Sequence, residues 1–271
     1  MTFTSYSNFR SNAFDLRKIS TISYLKNSGT LGLAAQWHSL WTAAGRPAAG
    51  ANTSTVCNSP LAGGIDPPDI TTGGQTVQLF RWRALSSLAC QLMLYDRLVS
   101  VAGVPITGGP HRVSTSTLSR YTDGANVRAA GEVTTAMDGS ATTVKLNLYT
   151  DGGGTAERVG GTFDIPAMAV GGMFFFPESN NSAAVSGVRD CVEIDIATGP
   201  SIGVINFLLV QPIAVIRLRP NRVNEISFIH NVPMLPRIYT DTSARACLAM
   251  AVFAPATTAM TIESTIELAW G

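Results

Sequence analysis

The sequence predicts a mainly β protein, an antiparallel β-sandwich or jelly roll preceded by a short N-terminal helical arm. Three observations predict it. Short apolar runs, many of them alternating with polar residues, are separated by turns bearing Gly, Asn and Asp. Charged residues make up 14% of the 271, against roughly 25% in ordinary globular chains, and hydroxyl and amide side chains take their place. The first fifty residues follow a different pattern from the rest.

In that first stretch Leu33, Trp37, Leu40 and Trp41 recur at helical spacing, with Gly45 and Pro47 as a stop. The spacing predicts a short helix near residues 30–43. Residues 1–50 would then be an arm with Trp37 and Trp41 on one helix face. The plain reading docks that helix on its own core. The sharper reading anchors it on a neighbouring subunit. Residues 51–74 are rich in Gly, Pro, Ala, Asn and Thr and read as a linker.

Residues 75–271 supply the β body. Glu132 to Met137 and Thr142 to Tyr149 flank Asp138-Gly139, a hairpin signal. Val144, Leu146 and Leu148 alternate with Lys145, Asn147 and Tyr149, and Val192, Ile194 and Ile196 alternate with Glu193 and Asp195. Val204 to Val210 is apolar on both faces, as in a strand covered on both sides. Ile213 to Leu218, Glu225 to His230, Ala246 to Phe253 and Thr261 to Trp270 are further strands, while Leu85 to Val99 fits both periods.

Composition narrows the function classes. Hydrophobic residues at 45% allow a packed core without metals or disulfides. A net charge of +1 provides no global field toward nucleic acid or an anionic membrane. The most apolar stretch, Gly203 to Leu218, is interrupted by Asn206, Gln211 and Pro212 and is too short to span a bilayer as a helix. The N-terminus lacks the layout of a signal peptide, which predicts a chain made in the host cytoplasm. Cys57, Cys90, Cys191 and Cys247 are widely spaced, which predicts core thiols rather than zinc ligands. No cofactor is expected.

One enzyme motif occurs. Gly199-Pro200-Ser201-Ile202-Gly203 matches G-x-S-x-G, but a strand-like run follows where the nucleophile elbow needs a helix. Glu225 and His230, five apart in one strand, would point to opposite faces. His38 and His111 stand alone, and Glu193 with Asp195 reads as a wet strand face rather than a glycosidase pair. Trp82 and Trp270 are the aromatics that a carbohydrate-binding jelly roll would expose, and Arg81-Trp82-Arg83 is a slender basis for base stacking.

Lys occurs only at 18, 26 and 145, so the basic residues are mostly Arg. A GC-rich genome gives that bias, and so does selection for multidentate interface contacts. Arg217, Arg219 and Arg222 form the densest basic run. They are either a solvated or internally paired cluster or an anchor for a partner's carboxylates.

Three phrases carry a resemblance: Gln36-Trp37-His38-Ser39-Leu40-Trp41 with Gly45-Arg46-Pro47-Ala48-Ala49-Gly50; Tyr95-Asp96-Arg97-Leu98 ahead of Gly103; and Leu146-Asn147-Leu148-Tyr149-Thr150-Asp151. Through them the first 60% or so of the chain resembles virion structural proteins of tailed bacteriophages, among them capsid decoration (cement) proteins. The resemblance implies a β-sandwich protein on the capsid surface of the virion, often trimeric, with no active site. Its partners would be the major capsid protein and copies of itself. The sequence shows neither the charged spine helix of a major capsid protein nor the helical, charged composition of a scaffolding protein. Tail-tube, head-fibre and receptor-binding roles stay open beside decoration. A serine hydrolase and a carbohydrate-binding jelly roll are the rivals from other classes.

Overall fold

The computed structural model describes residues 3–58, 61–69, 75–139, 141–178, 186–198, 202–229, 235–240 and 244–271. A helix, α1 (Tyr6–Arg10), runs into a π-helical turn (Ser11–Asp15) and then β1 (Ile19–Asn27), β2 (Gln36–Ser39), β3 (Ala44–Arg46) and β4 (Thr55–Val56). The long strands β5 (Val77–Ser86) and β6 (Cys90–Pro105) follow, with β7 (Gly109–Arg112), β8 (Arg128–Thr135), β9 (Thr142–Asp151), β10 (Phe163–Ile165) and β11 (Gly172–Phe175). The last third holds β12 (Val188–Thr198), β13 (Val204–Leu218), β14 (Asn224–Ser227), β15 (Arg237–Ile238), β16 (Leu248–Ala254) and β17 (Thr261–Trp270).

The protein is mainly β and antiparallel, with one short N-terminal helix, as its alternating patterns predict. Among the described residues the strands form three sheets. One runs β14-β5-β17-β1-β3, with β15 also on β5, and another runs β10-β9-β12-β7. The third, β13-β8-β11-β2-β16-β6-β4, closes on itself because β13 also pairs with β6. Closure makes a six-stranded barrel, which leaves no free edge within the ring.

The barrel lies between the other two sheets, and strand alternation sorts its side chains accordingly. Phe207 and Leu209 of β13 point outward into a core shared with Leu146, Ile194 and Ile196 of the four-stranded sheet. Leu92 and Leu94 of β6 and Met250 and Val252 of β16 point outward into a second core with Trp82, Ile266 and Leu268. Met93, Tyr95, Leu208, Val210, Ala249 and Ala251 point inward and fill the barrel. The doubly apolar run Val204 to Val210 is therefore a strand buried on both faces. Pro212 is tolerated in β13 beside a β-bulge, where the ladder is already interrupted.

Three expectations need correction. Residues 36–39 form β2, so there is no helix over 30–43. A spacing of four serves a strand as well as a helix, because i and i+4 share a face in both. The helix that does form is α1, where the Ser5 side chain caps the N–H of Asn8 and Phe9 is buried against Phe3 and Phe80. Second, the described part of the expected arm over residues 1–50 is built into the β body: β1 pairs with β17 from Ile19–Ala269 to Asn27–Thr261, and β2 closes the barrel between β11 and β16. Third, the strands either side of Asp138-Gly139 are not a hairpin. The chain there leaves the barrel at β8 and enters the four-stranded sheet at β9.

Candidate functional site

The densest buried polar cluster lies where β6 crosses the barrel. Asp96 and Arg97 are consecutive strand residues, so they point to opposite sides of the barrel wall. Inside, Arg97 donates to Glu132 at 3.0 Å and to Ser100 at 3.1 Å, and its guanidinium lies 4.4 Å from the centre of the Trp41 ring. Asn206 donates to Glu132 and to Asn52. Outside, Arg120 grips Asp96 with two hydrogen bonds of 2.6 Å and donates to the Arg97 carbonyl, while the Cys247 N–H donates to Asp96.

All four charged side chains are buried. Burial pushes the Asp96 carboxyl up, against the pull of Arg120 and the Cys247 N–H. Burial acts to lower the Arg97 guanidinium, but Glu132, together with Tyr95 and Cys57, holds the group above its ordinary value. These are charges paired inside the protein, and a buried pair of this kind fixes register more surely than it adds stability. Its signal was present in the sequence: Tyr95-Asp96-Arg97 interrupts an otherwise apolar run with two opposite charges.

The interface candidates separate. Trp41 is buried inside the barrel, its Nε1 donating to the Ala51 carbonyl, and presents nothing to a partner. Trp37 is half-buried on β2, edge-to-face with Phe253 at 5.5 Å. It lines an apolar groove of about 250 Å³ with Phe163, Ile165, Met168 and Phe175. Arg217, Arg219 and Arg222 are exposed at the end of β13 and in the turn after it. Among the described residues none of the three is ion-paired. Asn224 fixes their turn, accepting from the Arg219 N–H and donating to the Arg219 and Arg222 carbonyls. Val215 and Val223 are exposed in the same segment.

The remaining candidates whose side chains are described sit in contacts within the fold. Trp82 is buried, its Nε1 donating to Ser264 at 2.6 Å, so it is not an exposed ligand platform. Trp270 is half-buried against the same core. Arg81 and Arg83 are ion-paired with Glu225 and Glu267, which ties Glu225 into a sheet surface. Ser201 and His230 lie outside the described residues. Glu193 bonds Asn147 and Asp195 pairs with Lys145 at 3.0 Å, the wet face the alternation predicts. His38 is buried, bonded to the Leu33 carbonyl, and burial lowers its pKa; His111 is bonded to the Thr107 carbonyl. All four cysteines are free, buried thiols. Among the described residues no group of three or more His, Cys, Asp or Glu could hold a metal ion, and no helix is long and apolar enough to cross a membrane.

No protein-family model matches the sequence, and no curated protein matches it. Among solved structures, the chain is similar to the VP2 subviral particle of infectious bursal disease virus at 9% identity, over 98% of this chain and 86% of that one, with a TM-score of 0.21. A structure of the Gt strain of the same virus gives 10% identity over 92% and 78%, also with a TM-score of 0.21. Scores of that size do not correspond to a shared fold.

Proposed function

We propose that the chain is a non-enzymatic virion structural protein that decorates the capsid of a tailed phage. One observation carries the reading: Arg217, Arg219 and Arg222 stand clustered and exposed on one turn beside Val215 and Val223, and among the described residues none of the three is ion-paired. Unpaired arginines on a fixed turn, flanked by apolar side chains, suit a docking edge for a carboxylate-bearing protein surface. The major capsid protein is the partner this reading assigns, and a symmetric homo-oligomer, a trimer, is the assembled form that suits threefold capsomer junctions.

The test is co-sedimentation with cognate capsids that lack the protein. The chain should pellet with capsids at a fixed stoichiometry, and native mass spectrometry should show a trimer. The triple variant Arg217→Ala, Arg219→Ala, Arg222→Ala should stay in the supernatant with its unfolding midpoint unchanged. Binding to purified tails but not heads would move the role to the tail. Turnover of ester or glycan substrates by the wild type, lost in Ser201→Ala, would replace the structural reading by an enzymatic one.

A further inference from the structure

Two of the four thiols are brought together at a joint in the barrel wall. One edge of β6 is paired along its length with β13. The other edge is shared end to end by two short partners: β4 opposite Ser100 and Val99, and β16 opposite Asp96 and the residues before it. Cys57 follows β4 and donates its N–H to the Leu98 carbonyl, and the Cys247 carbonyl accepts from the Arg97 N–H. The two cysteines therefore face consecutive residues of one strand, about 3.3 Å apart along it. Both belong to the barrel's interior cluster of buried side chains. No chemistry derived above uses them.

We propose that Cys57 and Cys247 are a disulfide-forming pair that staples β4 to β16 when the protein meets a low-molecular-weight disulfide. Cys57 is the attacking sulfur. Its thiol is held below its ordinary value, first by the neighbouring Cys247 thiol and further by Arg97 and Arg120, against the opposing effect of burial. Its thiolate attacks one sulfur of the small disulfide, forming a mixed disulfide and expelling one thiolate. Cys247 then loses its proton to solvent and attacks Cys57 Sγ, expelling the second thiolate. Two cysteine thiols are oxidised and one small disulfide is reduced to two thiols. Both sulfurs are fully buried, so the first step requires β4 to lift from β6. β4 is two residues long, so that local opening is less costly than opening of the barrel.

The cross-link would close most of the chain into one loop and remove the joint in the barrel wall. It does not depend on the virion reading: it concerns the isolated chain, and capsid binding neither supports nor removes it.

The test uses the purified full chain and oxidised glutathione at about pH 8. The intact mass should fall by about 2 Da, the loss of two hydrogens, and a non-reducing peptide map should show one linked pair joining Cys57 to Cys247. The unfolding midpoint should rise by roughly 5–10 °C and return on reduction. Cys57→Ser and Cys247→Ser should lose the rise, while Cys90→Ser and Cys191→Ser should keep it. The mass and map on the wild-type chain decide the matter even where a variant fails to fold. Four alkylatable thiols after treatment, glutathione held singly on Cys57 or Cys247, or a link from either to Cys90 or Cys191 would each overturn the proposal.

Discussion

Replacing Glu132 with Met leaves the Arg97 guanidinium inside the barrel with Ser100 and the Trp41 ring as its remaining partners. Replacing Arg97 with Met strands the Glu132 carboxylate beside Asn206. The pair is 3.0 Å apart with both side chains almost fully buried. At an effective dielectric of about 20, that separation gives an attraction of roughly 5 kcal/mol. Losing one partner of a buried pair costs about 3–5 kcal/mol, because the other charge stays buried and uncompensated. The double variant Arg97→Met/Glu132→Met carries no charge and should lose about 2 kcal/mol or less, chiefly the contact with Trp41. Urea unfolding of the four proteins, followed by tryptophan fluorescence, measures the cycle. Single variants costing under about 1 kcal/mol each and adding in the double would refute the buried ion pair as a coupled unit.

Trp41→Ala should cost about 3–5 kcal/mol in unfolding free energy, since it empties part of the barrel, and half-buried Trp37→Ala about half that. Equal costs in a urea titration would contradict the placement of Trp41, and a stable Trp41→Ala chain that no longer binds capsids would restore it as an interface anchor. Lys26 is buried, donating to the Ala43 and Ala48 carbonyls, and desolvation lowers its pKa from 10.5 to about 8. Between those values the unfolded chain binds more protons than the folded one, so stability rises with pH. The stability of the wild type relative to Lys26→Met should climb from about pH 8 to about pH 10; a flat difference would place the ammonium in water.

Strand content was legible because it rests on local alternation, and Val144 to Leu148, Val192 to Ile196 and Thr261 to Trp270 show this. What joins those strands was not, because sheet membership depends on partners far away in sequence. Asp138-Gly139 has hairpin chemistry, yet the strands on its two sides belong to different sheets. The Trp37 to Trp41 spacing satisfied two periods, and the competing demand for a strand between β11 and β16 decided between them. Of the site residues, the arginine run was legible as a cluster, whereas the state of pairing of each arginine needed coordinates. Trp82 could not be told from an exposed aromatic until its partner Ser264, across the sheet, was known.

The barrel's position explains why charges stand inside it. Strands packed between two sheets are apolar on their outer faces, and the ring also turns apolar side chains inward, so alternation alone specifies register weakly for a run such as Val204 to Val210. A slip of one residue would exchange Leu208 for Phe207 or Leu209 at little hydrophobic cost. The same slip in β6 would exchange Asp96 and Arg97, turning the carboxylate toward Glu132 and the guanidinium toward Arg120. Both pairs would become like-charge contacts in a site without water. The alternating charges on β6 thus penalise the slipped register from both sides of the wall. Arg97–Glu132 fixes β6 against β8 within the barrel, and Asp96–Arg120 fixes its outer face to the segment that follows β7. Register set in this way also determines which residues share the exposed end of β13. Arg217 and Val215 are exposed to solvent there because Ile216 and Leu218 on the other face are held in the core.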